Sequence, residues 1–371
     1  MTNYNKDDEL EGVSDQRKEA IEEDEFFYRL TPDVVLEAVE EARLSPSGHC
    51  RALNSLENRV FDIGLNDGSH IVAKFYRPHR WSRDQIQEEH HFLNDLKEEE
   101  IPALSPIPFP DEETIKSVHG INYAVWPLTG GREPSEFTFE ELEITGRLLA
   151  RIHNVGAGRE FKDRLVLNAD RLALQPMQFL IDHKFIPVPL QTQYKDIVRE
   201  TADIYEELAE GVPVQRIHGD CHIGNLLYGS QGWYFLDFDD CCMGPAAQDI
   251  WMISSGRDSE SIARQTSFLE AYRLFRDFDE SWLKLIEPLR SLRYIHYSAW
   301  IARRWKDPAF APAFPHFGTD DYWLTELNEL KEQLNLFKKS SGKIFIMNDE
   351  NTVLEEEQEL TNKDFFWDMD D

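Results

Sequence analysis

The sequence contains little cysteine and no long apolar stretch. Its 371 residues include four cysteines, too few for the disulfide framework of a secreted protein. No apolar run approaches the roughly 20 residues that a membrane-spanning helix requires, and the polar N-terminus shows no apolar core of a signal peptide. We therefore expect a protein of the reducing cytoplasm without a membrane segment.

Basic residues are scarce as well. The chain has 39 lysines and arginines against 70 aspartates and glutamates, which gives a formal net charge of -31. Because non-specific binding to nucleic acids or anionic membranes requires a basic surface, neither is expected as a partner. The 41% apolar and 12% aromatic content is nevertheless typical of a folded protein, and the length allows one large domain or two lobes. We expect a monomer.

Paired zinc ligands are also missing. Tetrahedral zinc sites prefer pairs such as Cys-x2-Cys, and no two cysteines of the chain are spaced in this way. This spacing argues against a zinc site built from Cys221, Cys241, Cys242 and the nearby His218 and His222. We expect the cysteines to be packing residues and His218 to orient its loop by hydrogen bonding.

The distribution of patterns along the chain predicts an α+β protein with two lobes. Residues 1–27 and 339–371 are acidic and polar, and are expected to form a mobile arm and a solvated tail. Strand signals are concentrated in residues 28–127, whereas helical periodicity dominates residues 128–338. We therefore predict a small strand-rich N-lobe followed by a larger helical C-lobe.

A predicted β-hairpin and the helix after it carry a lysine and a glutamate. Alternating apolar residues flank the turn sequence Asn66-Asp67-Gly68, and Lys74 lies on the second strand. Ser82 to Gln85 fits a capping box at the start of a helix, on which Glu89 lies in the apolar stripe and Glu88 is rotated about 100° away from it. Because a buried carboxylate requires a cationic partner, Glu89 is expected to hold Lys74.

Residues 214–237 concentrate polar side chains in a loop between two hydrophobic strands. If the strands pair across the turn at residues 229–232, Asn225 falls beside Asp237 at the open end of the hairpin. Asp220 lies in the same loop, at its mouth. Two carboxylates and an amide are therefore expected to meet in one small volume.

Phosphoryl transfer requires such a set of side chains. One carboxylate accepts or orients the proton of the attacking hydroxyl, while an amide and a second carboxylate hold the magnesium ions at the phosphates. A lysine that binds the α- and β-phosphates completes the set, and Lys74 would fill this role. The residues thus predict an ATP-dependent phosphotransferase.

The polar loop also carries a family resemblance. His218-Gly219-Asp220-Cys221-His222, followed by Asn225 and by Leu236-Asp237-Phe238-Asp239, resembles the catalytic and metal-binding motifs of aminoglycoside and choline kinase-like phosphotransferases, which are relatives of the protein kinases. The sequence is more similar still to the bacterial stress response kinases of the YihE/RdoA type, which are serine/threonine protein kinases. This resemblance covers about residues 30–338, and further segments carry it: 53–60, 72–78, Arg80-Trp81, Gly244-Pro245, Gln248-Asp249, Arg303-Arg304-Trp305 and 307–310.

The resemblance implies a protein kinase-like fold with a nucleotide-binding N-lobe and a catalytic, substrate-binding C-lobe, ATP as co-substrate and Mg²⁺ as cofactor. It makes Asp220 the proton acceptor and Asn225 and Asp237 the magnesium ligands, with Asp220 and Asp237 as the catalytic pair. It further implies residues for nucleotide binding and support: Lys74 and Glu89 as the anchoring pair, Ser55 in the loop over the phosphates, Trp126 to Leu128 in the hinge beside adenine, and Asp249 behind the catalytic loop.

Two positions depart from the protein kinase pattern. Asp239 stands where those enzymes keep the glycine of Asp-Phe-Gly, so the usual activation-loop switch is not expected. The segment from Asn54 to Asn58 replaces the usual Gly-x-Gly-x-x-Gly run, so we expect modest nucleotide affinity.

The leading hypothesis is a stress-response serine/threonine protein kinase, itself a phosphoprotein, that phosphorylates protein hydroxyls. A small-molecule kinase acting on an amino alcohol, an aminoglycoside-like compound or a sugar stays open, because the substrate face lies in the helical lobe, where spacing carries little chemistry. A non-catalytic nucleotide-binding scaffold is disfavoured because Lys74, Asp220, Asn225 and Asp237 are all present.

Overall fold

In the computed structural model, which describes residues 24–230 and 232–340, the chain forms two units. We call them the N-unit and the C-unit. The N-unit comprises the chain up to Lys97 together with Ala103–Gly130, and the C-unit comprises Glu98–Pro102 and the chain from Gly131 onward.

The two acidic ends fall mostly outside the described residues. Of the predicted arm, residues 24–27 are described and belong to a helical segment. Its Phe27 is fully buried in the core of the N-unit, and the Arg59 guanidinium lies 4.9 Å from its ring. The folded part therefore begins before the boundary predicted at residue 27. The physical reason is the aromatic ring, whose burial stabilises the fold by about 1.5–3 kcal/mol. The other lobe boundaries stay predictions.

An antiparallel sheet with the strand order β1-β2-β3-β5-β4 forms the centre of the N-unit. Its β2–β3 hairpin has the predicted turn, with Gly64 paired to His70. Gly68 in this turn has a φ of +85°, which glycine adopts without a steric penalty. The strands are β1 (Pro46–Leu53), β2 (Arg59–Leu65), β3 (His70–Phe75), β4 (Lys116–Val118) and β5 (Ile121–Pro127).

Two helices, α1 (Pro32–Glu41) and α2 (Arg83–Glu98), accompany the sheet. The predicted capping box opens α2, since Ser82 Oγ accepts a hydrogen bond from the Gln85 amide at 3.2 Å and Gln85 Oε1 accepts one from the Ser82 amide at 2.9 Å. Apolar residues of α1 pack with the sheet in one cluster, whereas Ile86 of α2 packs with Trp126 in another. The helix and hairpin predicted around Lys74 are therefore confirmed.

Helices dominate the C-unit. A π-helical segment, Asp170–Leu174, leads directly into α4. Within the described ranges of the chain, no helix is both long and apolar enough to cross a bilayer. The helices are α3 (Phe139–Ala157), α4 (Gln175–Asp182), α5 (Val188–Ala209), α6 (Ala247–Ile253), α7 (Ser259–Arg273), α8 (Ile286–Arg303), α9 (Phe310–Ala313) and α10 (Asp320–Ser340).

Short strands frame the polar loop of the C-unit, and they differ in one respect from the single hairpin predicted over residues 214–237. The strands β8 (Leu226–Gly229) and β9 (Gly232–Phe235) form the predicted hairpin, and β6 (Gly131–Arg132) joins β8. However, β7 (Val214–Ile217) pairs with β10 (Cys242–Pro245) instead.

The pairing of β7 with β10 depends on Gly219. Its φ of +86° turns the chain out of β7, and a Cβ at this position would collide with the Asp240 carbonyl oxygen. Only glycine permits this close approach of two backbones. The predicted α+β class, with a strand-rich first part and a helical second part, is confirmed.

Candidate active site

Asp249, on α6, holds the beginning of the loop that follows β7. Its Oδ2 accepts a hydrogen bond from the His218 amide at 2.8 Å, and its Oδ1 accepts one from the Gly219 amide at 2.9 Å. His153 Nε2 lies 3.0 Å from the same carboxylate, which is fully buried. Because a buried carboxylate is stable only when such donors surround it, Asp249 and the loop backbone fix each other. The position of Asp249 behind the loop is the one that the resemblance implied.

His218 ties the loop to the end of β9. Its Nε2 lies 2.7 Å from the Leu236 carbonyl oxygen, and its Nδ1 accepts a longer hydrogen bond from the Asp220 amide at 3.4 Å. Since a carbonyl can only accept, the proton of this buried imidazole resides on Nε2. His218 therefore orients the loop as the sequence predicted.

Asp220 lies between the side chains of Arg293 and His222. Its Oδ1 is 2.8 Å from Arg293 Nη2, and its Oδ2 is 3.4 Å from His222 Nε2. Burial raises the pKa of Asp220, but Arg293 and His222 outweigh burial and hold the pKa well below its usual range. Asp220 is thus ionised at neutral pH and can accept a hydrogen bond from an attacking hydroxyl.

Arg293 is a residue that the sequence did not single out. It lies on α8, which is buried on most of its surface, and only 7% of its side chain is exposed. The available signal was an arginine among apolar neighbours, since such a charge requires an anionic partner. Nothing in the spacing identified Asp220 as this partner.

Asn225 and Asp237 both lie at the open end of the β8–β9 hairpin, which has the register that the sequence predicted. Leu226 pairs with Phe235, and the Leu236 amide donates to the Asn225 carbonyl at 2.9 Å. The side chain of Asn225 donates from Nδ2 to the Asp220 carbonyl at 2.8 Å. This bond leaves Oδ1 as the oxygen of Asn225 that can approach a metal ion.

Asp237 has an unusual backbone conformation. Its φ is +53°, a left-handed conformation that is uncommon for residues other than glycine and occurs preferentially at functional sites. Its carboxylate is exposed. A carboxylate and an amide oxygen are the hard ligands that Mg²⁺ prefers, so the donor set of Asn225 and Asp237 fits this ion.

The N-unit contains the buried Lys74–Glu89 pair. Lys74 Nζ lies 3.6 Å from Glu89 Oε1, and Glu89 is 1% exposed. The Tyr76 hydroxyl donates to Glu89 Oε2 at 3.4 Å, and the ring of Trp126 lies 5.5 Å from the Lys74 ammonium. The contact between Lys74 and Glu89, which helix geometry favoured over a contact with Glu88, is therefore present.

The loop expected to cover the phosphates is held by hydrogen bonds instead of being rich in glycine. Ser55 Oγ accepts from the Asn58 amide at 3.3 Å, and Asn58 Oδ1 accepts from the Arg77 amide at 3.2 Å. The Arg77 guanidinium in turn donates to the carbonyls of Leu56 and Glu57. The backbone of this loop is thus positioned by its own side chains and by Arg77.

The hinge residues differ in their surroundings. Trp126 is 9% exposed and pairs with Val72 in the sheet, whereas Leu128 is 41% exposed. The exposed apolar side chain of Leu128 is compatible with contact to a flat ligand such as adenine. The roles expected for Ser55, Trp126 and Leu128 stay predictions.

A sheet unit with a buried lysine–glutamate pair and a helical unit with a braced aspartate–asparagine–aspartate loop define a phosphotransferase of the kinase-like class. Residues 49–286 match the family described as APH, the Phosphotransferase enzyme family, and the chain belongs to this family. It is therefore an enzyme, an ATP-dependent kinase, as the sequence predicted.

The similarity to bacterial stress response kinases is confirmed by curated relatives. Stress response kinase A of Escherichia coli (strain K12) is 36% identical over 314 residues, which cover 84% of this chain and 95% of the relative. Serine/threonine protein kinase RdoA of Salmonella typhimurium (strain LT2) is also 36% identical over 314 residues, with 84% and 94% covered.

Solved structures of other kinases have the same fold. The amicoumacin kinase hAmiN, in complex with AMP-PNP, Ca²⁺ and Ami, has a TM-score of 0.65 at 18% identity and covers 84% of this chain and 95% of its own. The microcompartment-associated aminopropanol kinase has a TM-score of 0.62 at 17% identity, with 83% and 98% covered. At these identities the similarity extends to the fold alone, and it agrees with the predicted kinase-like architecture.

Proposed function

We propose that this enzyme transfers the γ-phosphate of ATP to serine or threonine hydroxyls of a protein and that it requires Mg²⁺. The observation that carries the proposal is the position of Asp220, which Arg293 and His222 keep ionised and which the Asp249-braced loop holds in place. We further propose that the enzyme works as a monomer in the cytoplasm, where its thiols stay reduced.

In this proposal Asp220 orients the attacking hydroxyl. A strongly depressed pKa makes Asp220 a weak base, but the transition state of phosphoryl transfer is loose and needs little proton abstraction before the phosphoryl group moves. The carboxylate aligns the oxygen and takes up the proton late in the reaction. Its firm placement therefore matters more than its basicity.

Asn225 Oδ1 and the Asp237 carboxylate would hold the magnesium ion. When bound, the ion neutralises the charge of the phosphates. The structure of hAmiN, which has the same fold, contains AMP-PNP and Ca²⁺, and this supports a divalent ion in the proposal. Lys74, held by Glu89, would bind the α- and β-phosphates.

The protein hydroxyl as acceptor rests on the relatives, one of which is described as a serine/threonine protein kinase. The solved structures with the same fold are titled as kinases of an antibiotic and of aminopropanol. A small-molecule acceptor is therefore the alternative that the experiment must separate from a protein acceptor.

The test is a transfer assay with γ-labelled ATP and Mg²⁺. One set of reactions contains a basic generic protein, another contains amino alcohols, aminoglycosides and sugars, and a third contains the enzyme alone. We expect label on serine or threonine of protein, with loss of transfer but retained ATP binding in Asp220→Ala. Asp203→Ala, a change at an exposed aspartate of α5, is the matched control. Label on small molecules alone would refute the protein-kinase proposal, and full turnover by Asp220→Ala would refute the site.

A further inference from the structure

Three side chains with metal-ligating atoms meet on the sheet of the N-unit. They are His49 on β1, Asp62 on β2 and His70 on β3. Asp62 Oδ1 lies 2.6 Å from His70 Nδ1, and Asp62 Oδ2 lies 3.5 Å from His49 Nε2. One ligand atom from each residue lies within 4.8 Å of the other two. These contacts join three adjacent strands.

The strand register leaves space for both imidazoles. Gly64 pairs with His70 across the β2–β3 hairpin, and a Cβ at Gly64 would lie 3.1 Å from the Cβ of His49 and 3.6 Å from Nε2 of His70. The same Cβ would lie 2.8 Å from Ser47 Oγ, so it would crowd the side chains of Ser47 and His49. Glycine at this position therefore leaves room for the His49 side chain, whose ring centroid lies 5.1 Å from that of His70.

We propose that His49, Asp62 and His70 form a binding site for a divalent transition-metal ion of the Zn²⁺ type. Two imidazole nitrogens and one carboxylate oxygen, with water in the fourth position, are a common ligand set for zinc. Zinc ligands lie about 2.0–2.2 Å from the ion, so that neighbouring ligand atoms are about 3.3 Å apart. The side chains of His49 and His70 are 47% and 40% exposed, and they can adjust to this spacing.

The burial of Asp62 favours the proposed site. Only 6% of its side chain is exposed, so its position is determined by the sheet while the two imidazoles open to solvent. Burial by itself would raise the pKa of Asp62, but hydrogen bonds with His70 and His49 outweigh burial and hold this pKa below its usual value. The carboxylate is therefore ionised at neutral pH. To bind the ion, His70 would present the lone pair of Nδ1, with the ring proton on Nε2.

Arg51 competes with a metal ion for the same carboxylate. Its Nη2 lies 3.3 Å from Asp62 Oδ2, but 67% of its side chain is exposed, so it can swing into solvent. The removal of Arg51 therefore distinguishes a metal site from a purely structural ion-pair network. If the three residues bind a metal ion, loss of Arg51 should increase the affinity for the ion. If they form only an ion-pair network, loss of Arg51 should weaken the network without increasing any affinity for metal.

The experiment is a calorimetric titration of untagged, full-length protein with ZnCl₂ in excess Mg²⁺, which occupies the hard-ligand site around Asp237. We expect one zinc ion per chain. His49→Ala and His70→Ala should each weaken binding by at least the roughly 10–100-fold that loss of a metal ligand's hydrogen-bonding partner costs. Arg51→Ala should bind zinc more tightly than the wild type.

His91→Ala is the matched control, because His91 is an exposed histidine on α2 of the same unit, and it should bind zinc like the wild type. The visible absorption of the Co²⁺-loaded protein gives a second readout, which the double variant His49→Ala/His70→Ala should lose while its ATP binding persists. Unchanged zinc binding in the double variant, no binding by the wild type, or weaker binding by Arg51→Ala would each overturn the proposal.

Discussion

Arg293 Nη2 lies 2.8 Å from Oδ1 of Asp220, and this ion pair connects the buried helix α8 to the loop that follows β7. The side chains are 7% and 13% exposed, so that little water screens the pair. A buried charge that loses its partner is costly, and each member therefore depends on the other. The depressed pKa of Asp220 therefore depends on a helix distant in the chain as well as on His222 in its own motif.

We predict that Arg293→Met shifts the acid limb of the pH–rate profile to higher pH. The pKa of Asp220 is depressed in the wild type, so the ionised, active form persists as the pH falls. Without Arg293 only His222 opposes the effect of burial, so the pKa of Asp220 rises and activity is lost at a higher pH than in the wild type. The measurement is kcat/KM between about pH 5 and pH 8.

Two comparisons make the Arg293 prediction specific. Arg293→Lys should shift the profile less, because it retains a positive charge. Since Arg293→Met removes the charged partner of a buried carboxylate, it should also lower the free energy of unfolding by about 3 kcal/mol. Superimposable pH profiles of Arg293→Met and the wild type would show that Arg293 does not tune Asp220.

Asn225→Asp and Asn225→Ala should separate the two roles of this side chain. Both variants lose the Nδ2 donor to the Asp220 carbonyl, but Asn225→Asp keeps an oxygen ligand for Mg²⁺. We therefore expect Asn225→Ala to require a higher Mg²⁺ concentration for half-maximal rate than Asn225→Asp. Equal Mg²⁺ requirements of the two variants would remove Asn225 from the metal site.

Asp237→Ala should lose Mg²⁺-dependent nucleotide binding, which calorimetry with and without Mg²⁺ measures.

Glu89→Gln should impair the enzyme far more than Glu88→Gln. Glu89 contacts Lys74 from a buried position, so its neutralisation removes the group that, in our proposal, orients the lysine toward phosphate. We expect kcat/KM for ATP to fall on the order of 10²-fold, comparable to the loss of one electrostatic contact in a transition state. The neighbouring substitution Glu88→Gln changes the charge of the same helix by the same amount and controls for it. Equal losses in both variants would contradict the Lys74–Glu89 assignment.

Asp249→Ala should lower the stability of the C-unit and also abolish the activity of the enzyme. The substitution leaves the amides of His218 and Gly219 and the ring of His153 without their acceptor, and each buried unsatisfied group costs about 1–3 kcal/mol. Urea unfolding of Asp249→Ala should therefore show a clearly lower midpoint than that of Asp203→Ala. A stable but inactive Asp249→Ala would mean that the carboxylate acts on substrate rather than on the loop.

Local patterns in the sequence predicted much of the fold. The turn at Asn66-Asp67-Gly68, the capping box before α2 and the β8–β9 register each depend on residues close together in the chain. Backbone geometry acts over such short distances, so the periodicity of the side chains was enough to place Glu89 on the buried face and Asn225 beside Asp237.

Long-range packing decided the remaining features. Arg293 is 73 residues from Asp220 in the chain, β7 pairs with β10 rather than within the predicted hairpin, and Phe27 is buried in a segment that reads as an acidic arm.

The sequence by itself therefore determined the local elements and the order of the catalytic motif. Only the tertiary structure decided which charge faces Asp220 and which strand pairs with β7, because these contacts depend on how distant helices and strands pack, and no local period encodes them.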